Sequence, residues 1–148
     1  MSNVIDPTEL TPLQARRRLR AWSAGMDAHV HAAVELLIAH ETWLCRRDFL
    51  AAAVRVRQPA VAWINWRDAR EAFDAGRFDQ SSSTERAVLD LAIALGEDRY
   101  RLSAMGHGNG ALVATSLALA AGLVTPAPTR TRPVFDTPQP RGHVPEEP

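Results

Sequence analysis

The sequence predicts an α+β fold: a mainly helical single domain with one central β-hairpin and a disordered C-terminal tail. Three observations lead there. Apolar residues recur at three- and four-residue spacing in several segments that open on a capping residue, the period of a helix burying one face. Val54-Arg55-Val56-Arg57 instead alternates with period two, and a second apolar run follows a proline-bearing turn. From Val124 onward seven of twenty-five residues are proline and large apolar side chains are sparse, too few to offset the entropy of ordering that stretch.

The elements follow in order. Residues 1–10 read as frayed. Thr11 and Pro12 suit a helix start, and "LQARRRLRAW" continues to Gly25 with Leu13, Leu19 and Trp22 as apolar anchors. Asp27 caps a second helix, in which Val30, Val34, Leu37, Ile38 and Leu44 mark the buried side, and Asp48 caps a short turn. The hairpin pairs residues 54–57 with 60–64 across a connection of three to five residues, because Pro59 does not suit a tight two-residue turn. A lone hairpin is marginal in water, so its apolar face must meet helices, with Trp63 or Trp66 in the seam. Asn65 caps the next helix, whose buried side is Trp66, Ala69 and Phe73, ended by Gly76. Ser82 and Glu85 form a capping box before a helix with Val88, Leu91, Ala92 and Leu95 inward and Gly96 as terminator. After a loop through "GHGNG", Ala111 to Ala121 reads as a last helix with Leu112, Val113, Leu117 and Ala120 inward. The domain reading is an Arg-rich helical segment at 1–27, an α+β core at 28–123 and a Pro-rich tail at 124–148.

The totals limit function. Seventeen basic residues, all arginine, balance seventeen acidic ones, so no global field draws in nucleic acid, a membrane or an acidic substrate. The absence of lysine together with abundant alanine marks a GC-rich coding habit, which dilutes the meaning of any arginine cluster. A single cysteine, Cys45, rules out an internal disulfide and multi-cysteine metal patterns and fits a reducing cytoplasm. The first ten residues lack the basic and apolar regions of a secretory signal, and no run approaches the roughly eighteen apolar residues of a membrane span. A cytoplasmic protein without membrane attachment is expected.

The words "AHETWL", "RRDFLAAAV", "AWINWRDAREAFDAGRF" and "SSSTERAVLDLA", with the last helix, cover roughly residues 34–122. In this succession the chain resembles a small uncharacterised actinobacterial protein family. The shared words are mostly capping and packing residues, so the resemblance implies a fold and carries no activity. Where that family often places an acid between the isoleucine and the second tryptophan, this chain has Asn65, which caps a helix but cannot act as a base.

Candidate chemistry is sparse. Of His29, His31 and His40 with Glu41, only His31 with Glu35 has helical ligand spacing, since residues two apart point about 200° from each other; no metal site is expected. Cys45 before Arg46 and Arg47 reads as a small apolar filler rather than a nucleophile, because His40 is badly placed as its base. "GHGNGA" lacks the ending of a phosphate loop and reads as a flexible loop with Asn109 as a cap, so no cofactor is implied. An enzyme built from separated residues such as His40, Glu41 and Asp48 is the least favoured reading. The preferred one is a non-enzymatic interaction or regulatory accessory protein with a protein partner, or itself as a homodimer. The alternative is a nucleic-acid-binding regulator using Arg16, Arg17, Arg18 and Arg20 with Arg55 and Arg57, beside an exposed Trp63 or Trp66 for stacking.

Overall fold

The computed structural model describes residues 5–57 and 60–125. Among them are six α-helices, α1 (Pro12–Ser23), α2 (Ala28–His40), α3 (Arg47–Ala53), α4 (Trp66–Asp74), α5 (Ser83–Gly96) and α6 (Gly106–Ala120), and one antiparallel hairpin, β1 (Val54–Arg57) with β2 (Val61–Ile64). The mainly helical α+β expectation holds. The chain divides into two compact units, residues 1–111 and 112–148. The tail expectation falls largely on residues 126–148, which lie outside the described residues, as do residues 1–4 and the turn residues Gln58 and Pro59.

Local capping sets the helix starts. Thr11 accepts from the Gln14 amide while the Gln14 side chain accepts from the Thr11 amide, and Ser82 with Glu85 repeats the arrangement at α5. Asn65 accepts from the Asp68 amide at 3.2 Å to start α4. Asp27 takes the capping position of α2 without a side-chain bond to the helix. Asp48, expected as a cap, lies inside the first turn of α3, where it accepts from the Phe49 amide.

The hairpin register pairs Val54 with Ile64 and Val56 with Ala62, and these four side chains are buried. Arg55, Arg57, Val61 and Trp63 occupy the opposite face. α1 packs against both β2 and α2. The Asn65 amide donates to the Ala53 carbonyl at 2.8 Å, so the pairing runs up to the capping residue of α4.

The centre of the first unit is aromatic. Trp43, from a 3₁₀ turn at Trp43–Cys45, meets Phe49 of α3 and Phe78 edge-on, with ring centroids 5.8 and 5.4 Å away, and its Nε1 donates to the Glu85 carbonyl. Trp43 therefore takes the central place, and neither tryptophan expected in the hairpin seam does. Trp63 lies half-buried on the outward face, whereas Trp66 packs into the contact between α4 and α5.

Several inward assignments shift. Leu10 is buried in the core, because Asp6 caps a 3₁₀ turn at Pro7–Glu9 that lies against α3 and β1; residues 5–10 are thus packed rather than frayed. Leu13 points to water, and Ala15, Leu19 and Ser23 form the inner face of α1. In α5 the buried stripe is Leu89, Ala92, Ile93 and Gly96; Leu91 is exposed and Val88 and Leu95 are half-buried. Both stripes satisfy the helical period, and Gly96 decides between them. It is the last residue of α5 and is not in the left-handed conformation expected of a terminator; a β-carbon there would sit 2.1 Å from Cδ2 of Trp66. Its lack of a side chain admits the indole.

α6 begins a turn earlier than expected and absorbs "GHGNG"; Asn109 is therefore within the helix, its side chain donating to the Met105 carbonyl, and does not cap it. None of its residues is buried, so Leu112, Val113, Leu117 and Ala120 are not inward.

Gly96→Ala should lower the stability by about 1–3 kcal/mol through overpacking, read from the urea unfolding midpoint. In a Trp66→Ala background the same substitution should cost far less, since the clashing ring is gone. Equal costs in the two backgrounds would contradict this packing.

Candidate functional site

The arginines proposed for nucleic acid lie on neighbouring elements, yet most are already engaged. On α1, Arg20 grips Glu35 of α2 with two bonds of 2.7 and 2.9 Å, and Arg16 reaches Glu41 at the end of α2 at 3.3 Å. The two therefore flank the contact with α2. Arg18 is half-buried, with Nη1 shielded and lacking a hydrogen-bond partner, and Arg17 is exposed with no carboxylate pairing it among the described residues.

Arg55 serves the backbone. It donates to the Ala51, Ala52 and Val54 carbonyls at 2.9–3.3 Å and pairs with Asp68 of α4, closing the carboxyl end of α3 that would otherwise present orphan carbonyls. Arg57 lies over the Trp63 ring, 5.7 Å from its centroid, on the outward face of the hairpin. The candidate set thus leaves Arg17 and Arg57, with Trp63, as the groups most open to a phosphate or a base.

Other candidates resolve into supports. Ser23 is fully buried; its hydroxyl donates to the Arg20 carbonyl and lies within hydrogen-bond distance of His31 Nδ1, at 3.1 Å, which ties the end of α1 to α2. His29 Nδ1 donates to the Leu95 carbonyl at 2.8 Å. Among the described residues no three His, Cys, Asp or Glu side chains are grouped to hold a metal ion. Cys45 is exposed, contrary to the filler expectation, because Trp43 and Leu44 take the inward positions of their tight turn. Glu41 and Asp48, named for an assembled active site, are paired with Arg16 and Arg46 respectively.

The concavities on the first unit include a groove and a smaller recess with polar groups on their linings. A 440 Å³ groove between α3 and α4 has Arg55, Asp68, Glu71 and Arg77 on its walls and alanines on its floor. A 230 Å³ recess beside α2 is lined by Ala28, Ala32, Leu95 and Leu102, with His29 and Ser103 at its polar points.

α6 and the turn after it are of a different kind. From Leu102 to Thr129 the sequence has no Asp, Glu, Lys or Arg. Within it Leu112, Leu117 and Leu123 are 68, 59 and 80% exposed, and Leu119 and Val124 are exposed as well. Sequence reasoning found the helix but assigned its apolar face inward; the missing signal was the lack of any charged face to turn outward. No helix among the described residues is long and apolar enough to cross a membrane.

No known family model, curated protein or solved structure matches this chain.

Two outcomes follow. Arg55→Ala should cost about 1–2 kcal/mol because it orphans the α3 carbonyls, whereas Arg57→Ala should stay within about 0.5 kcal/mol, both read by denaturant titration. The Arg20 hydrogen bond holds the Glu35 carboxyl below its ordinary range, and the Arg46 hydrogen bond does the same to Asp48. Carboxylates so lowered contribute stability that is complete above their unfolded value near pH 4 and is lost as pH falls through the folded values. Tryptophan fluorescence should therefore report falling stability below about pH 4, with a shallower acid limb in Asp48→Asn; solvent screening keeps each contribution small.

Proposed function

We propose that the protein is a non-enzymatic interaction or regulatory accessory protein of the cytoplasm, working through the uncharged segment Leu112–Val124. One observation carries this reading: five large apolar side chains, Leu112, Leu117, Leu119, Leu123 and Val124, stand in water on a stretch with no charge. So many exposed large apolar side chains within thirteen residues mark a place where another surface sits. An isolated helix of this length is marginal in water, so cover also stabilises α6 itself. A lipid surface is a poorer match, since interfacial helices present a basic polar face and this one presents none.

The nucleic-acid reading has narrower support. It retains Arg57 stacked on Trp63 and Arg17, which pairs with no carboxylate among the described residues, while Arg16, Arg20 and Arg55 are held by Glu35, Glu41, Asp68 and backbone carbonyls. Using those three as phosphate contacts would mean breaking internal bonds.

A photo-crosslinking residue in place of Leu117 should trap a protein adduct in the native host that survives nuclease. The same residue in place of Arg57 should give no protein adduct, and filter binding should find no salt-dependent affinity for DNA or RNA. Absence of an adduct at Leu117, joined with nucleic-acid binding that steepens at low salt and weakens in Arg57→Ala, would replace this reading with the alternative.

A further inference from the structure

We propose that the partner of this segment is a second copy of the same chain: Leu112–Val124 of two copies pair about a two-fold axis to form a homodimer. The inference rests on reading Leu112–Val124 as an interaction surface and names what covers it.

Helical spacing divides α6 into two unlike sides. Leu112, Val113, Leu117 and Leu119 project into one broad arc, while Ala114 and Ala118 lie opposite; Leu123 and Val124 follow the helix end and are exposed as well. The polar residue within the arc, Ser116, directs its hydroxyl to the Leu112 carbonyl at 3.0 Å, so it can leave water without losing a partner. The arc is thus ready for desolvation along its whole length. A partner with a charge at the centre of its face would bury that charge without a counter-ion, which is strongly unfavourable. The arc itself has no charge, so a copy of it meets this requirement.

Area and geometry agree. The five exposed leucine and valine side chains leave at most on the order of 500 Å² of apolar surface per chain, so two copies that cover all of it bury about 1,000 Å², the least that a specific interface needs. A two-fold axis across the helix makes the pair antiparallel, which sets opposite helix dipole ends side by side. The chain's own remaining residues are a poor cover: from 126 to 148 the large apolar side chains are Val134, Phe135 and Val144, set among arginines, acids and prolines.

The test uses the full chain. Sedimentation equilibrium should show a concentration-dependent species of twice the chain mass, and Leu112→Glu with Leu117→Glu should weaken self-association at least about a hundredfold while far-ultraviolet dichroism of the α1–α5 body is retained. In a Cys45→Ser background, Ser116→Cys should form an intermolecular disulfide on mild oxidation and Ala114→Cys, on the opposite side, should not. A wild-type chain that stays monomeric, or a dimer that survives the double glutamate change, would overturn the inference. Hydrogen exchange on a monomeric sample then separates the two failures. Fast exchange at Leu112–Leu119 with a retained Leu117 adduct to another protein removes the homodimer alone, whereas slow exchange shows the arc covered within its own chain and removes the interaction reading too.

Discussion

The edge-on contact of Trp43 with Phe49 and Phe78 is the constraint on which the first unit depends. Three rings from three separate segments meet where no water reaches; Trp43 makes a T-shaped contact with each phenylalanine, the arrangement favoured by ring quadrupoles, and the two phenylalanines are tilted to one another. The indole nitrogen is satisfied by the Glu85 carbonyl in the first turn of α5, so the largest buried side chain also fixes where α5 begins. Arg46 lies over the same indole and binds Asp48, sealing the cluster on the solvent side with a cation–π contact. Helix starts, the α3 turn and the Phe78 turn are thereby referred to one point.

Arginine does most of the remaining stitching. Arg20 joins α1 to α2, Arg55 closes α3 and reaches α4, and Arg70 of α4, with Phe73 beneath it, pairs with Asp90 and Glu97 across the boundary of α5. Burial of Arg70 disfavours its charge, but the Asp90 hydrogen bond and the surrounding acids outweigh that, leaving its pKa raised. The planar guanidinium explains how one residue type fills such different positions, since it can fork to a carboxylate, bond several carbonyls or lie flat on a ring. A chain whose basic residues are all arginine thus uses many of them to hold itself together, which agrees with its balanced charge.

What could be read in the sequence was what depends on neighbours in sequence. The Thr11–Gln14 and Ser82–Glu85 boxes, the Asn65 cap and the period-two hairpin are short-range devices, and each stands where its residues indicated. The inner face of α5 was not legible, because Gly96 is governed by an indole thirty residues earlier and two equally periodic stripes compete. The same holds for Leu10, whose burial depends on α3 and β1. In the candidate site, the spacing of Arg55 and Arg57 correctly put them on one side of the strand, but only tertiary contacts reveal that one binds the end of a helix and the other a ring. Periodicity located α6 and could not say whether its apolar side turns toward its own chain or toward something else.

The buried Leu10 bears on how the molecule can be cut. A fragment started at Thr11 would respect every helix boundary, yet it would strip the short Pro7–Glu9 coil and the leucine that stoppers the α3 and β1 end of the core, leaving an apolar socket open to water. The sensible trimming point lies ahead of Asp6, where the first capped turn begins.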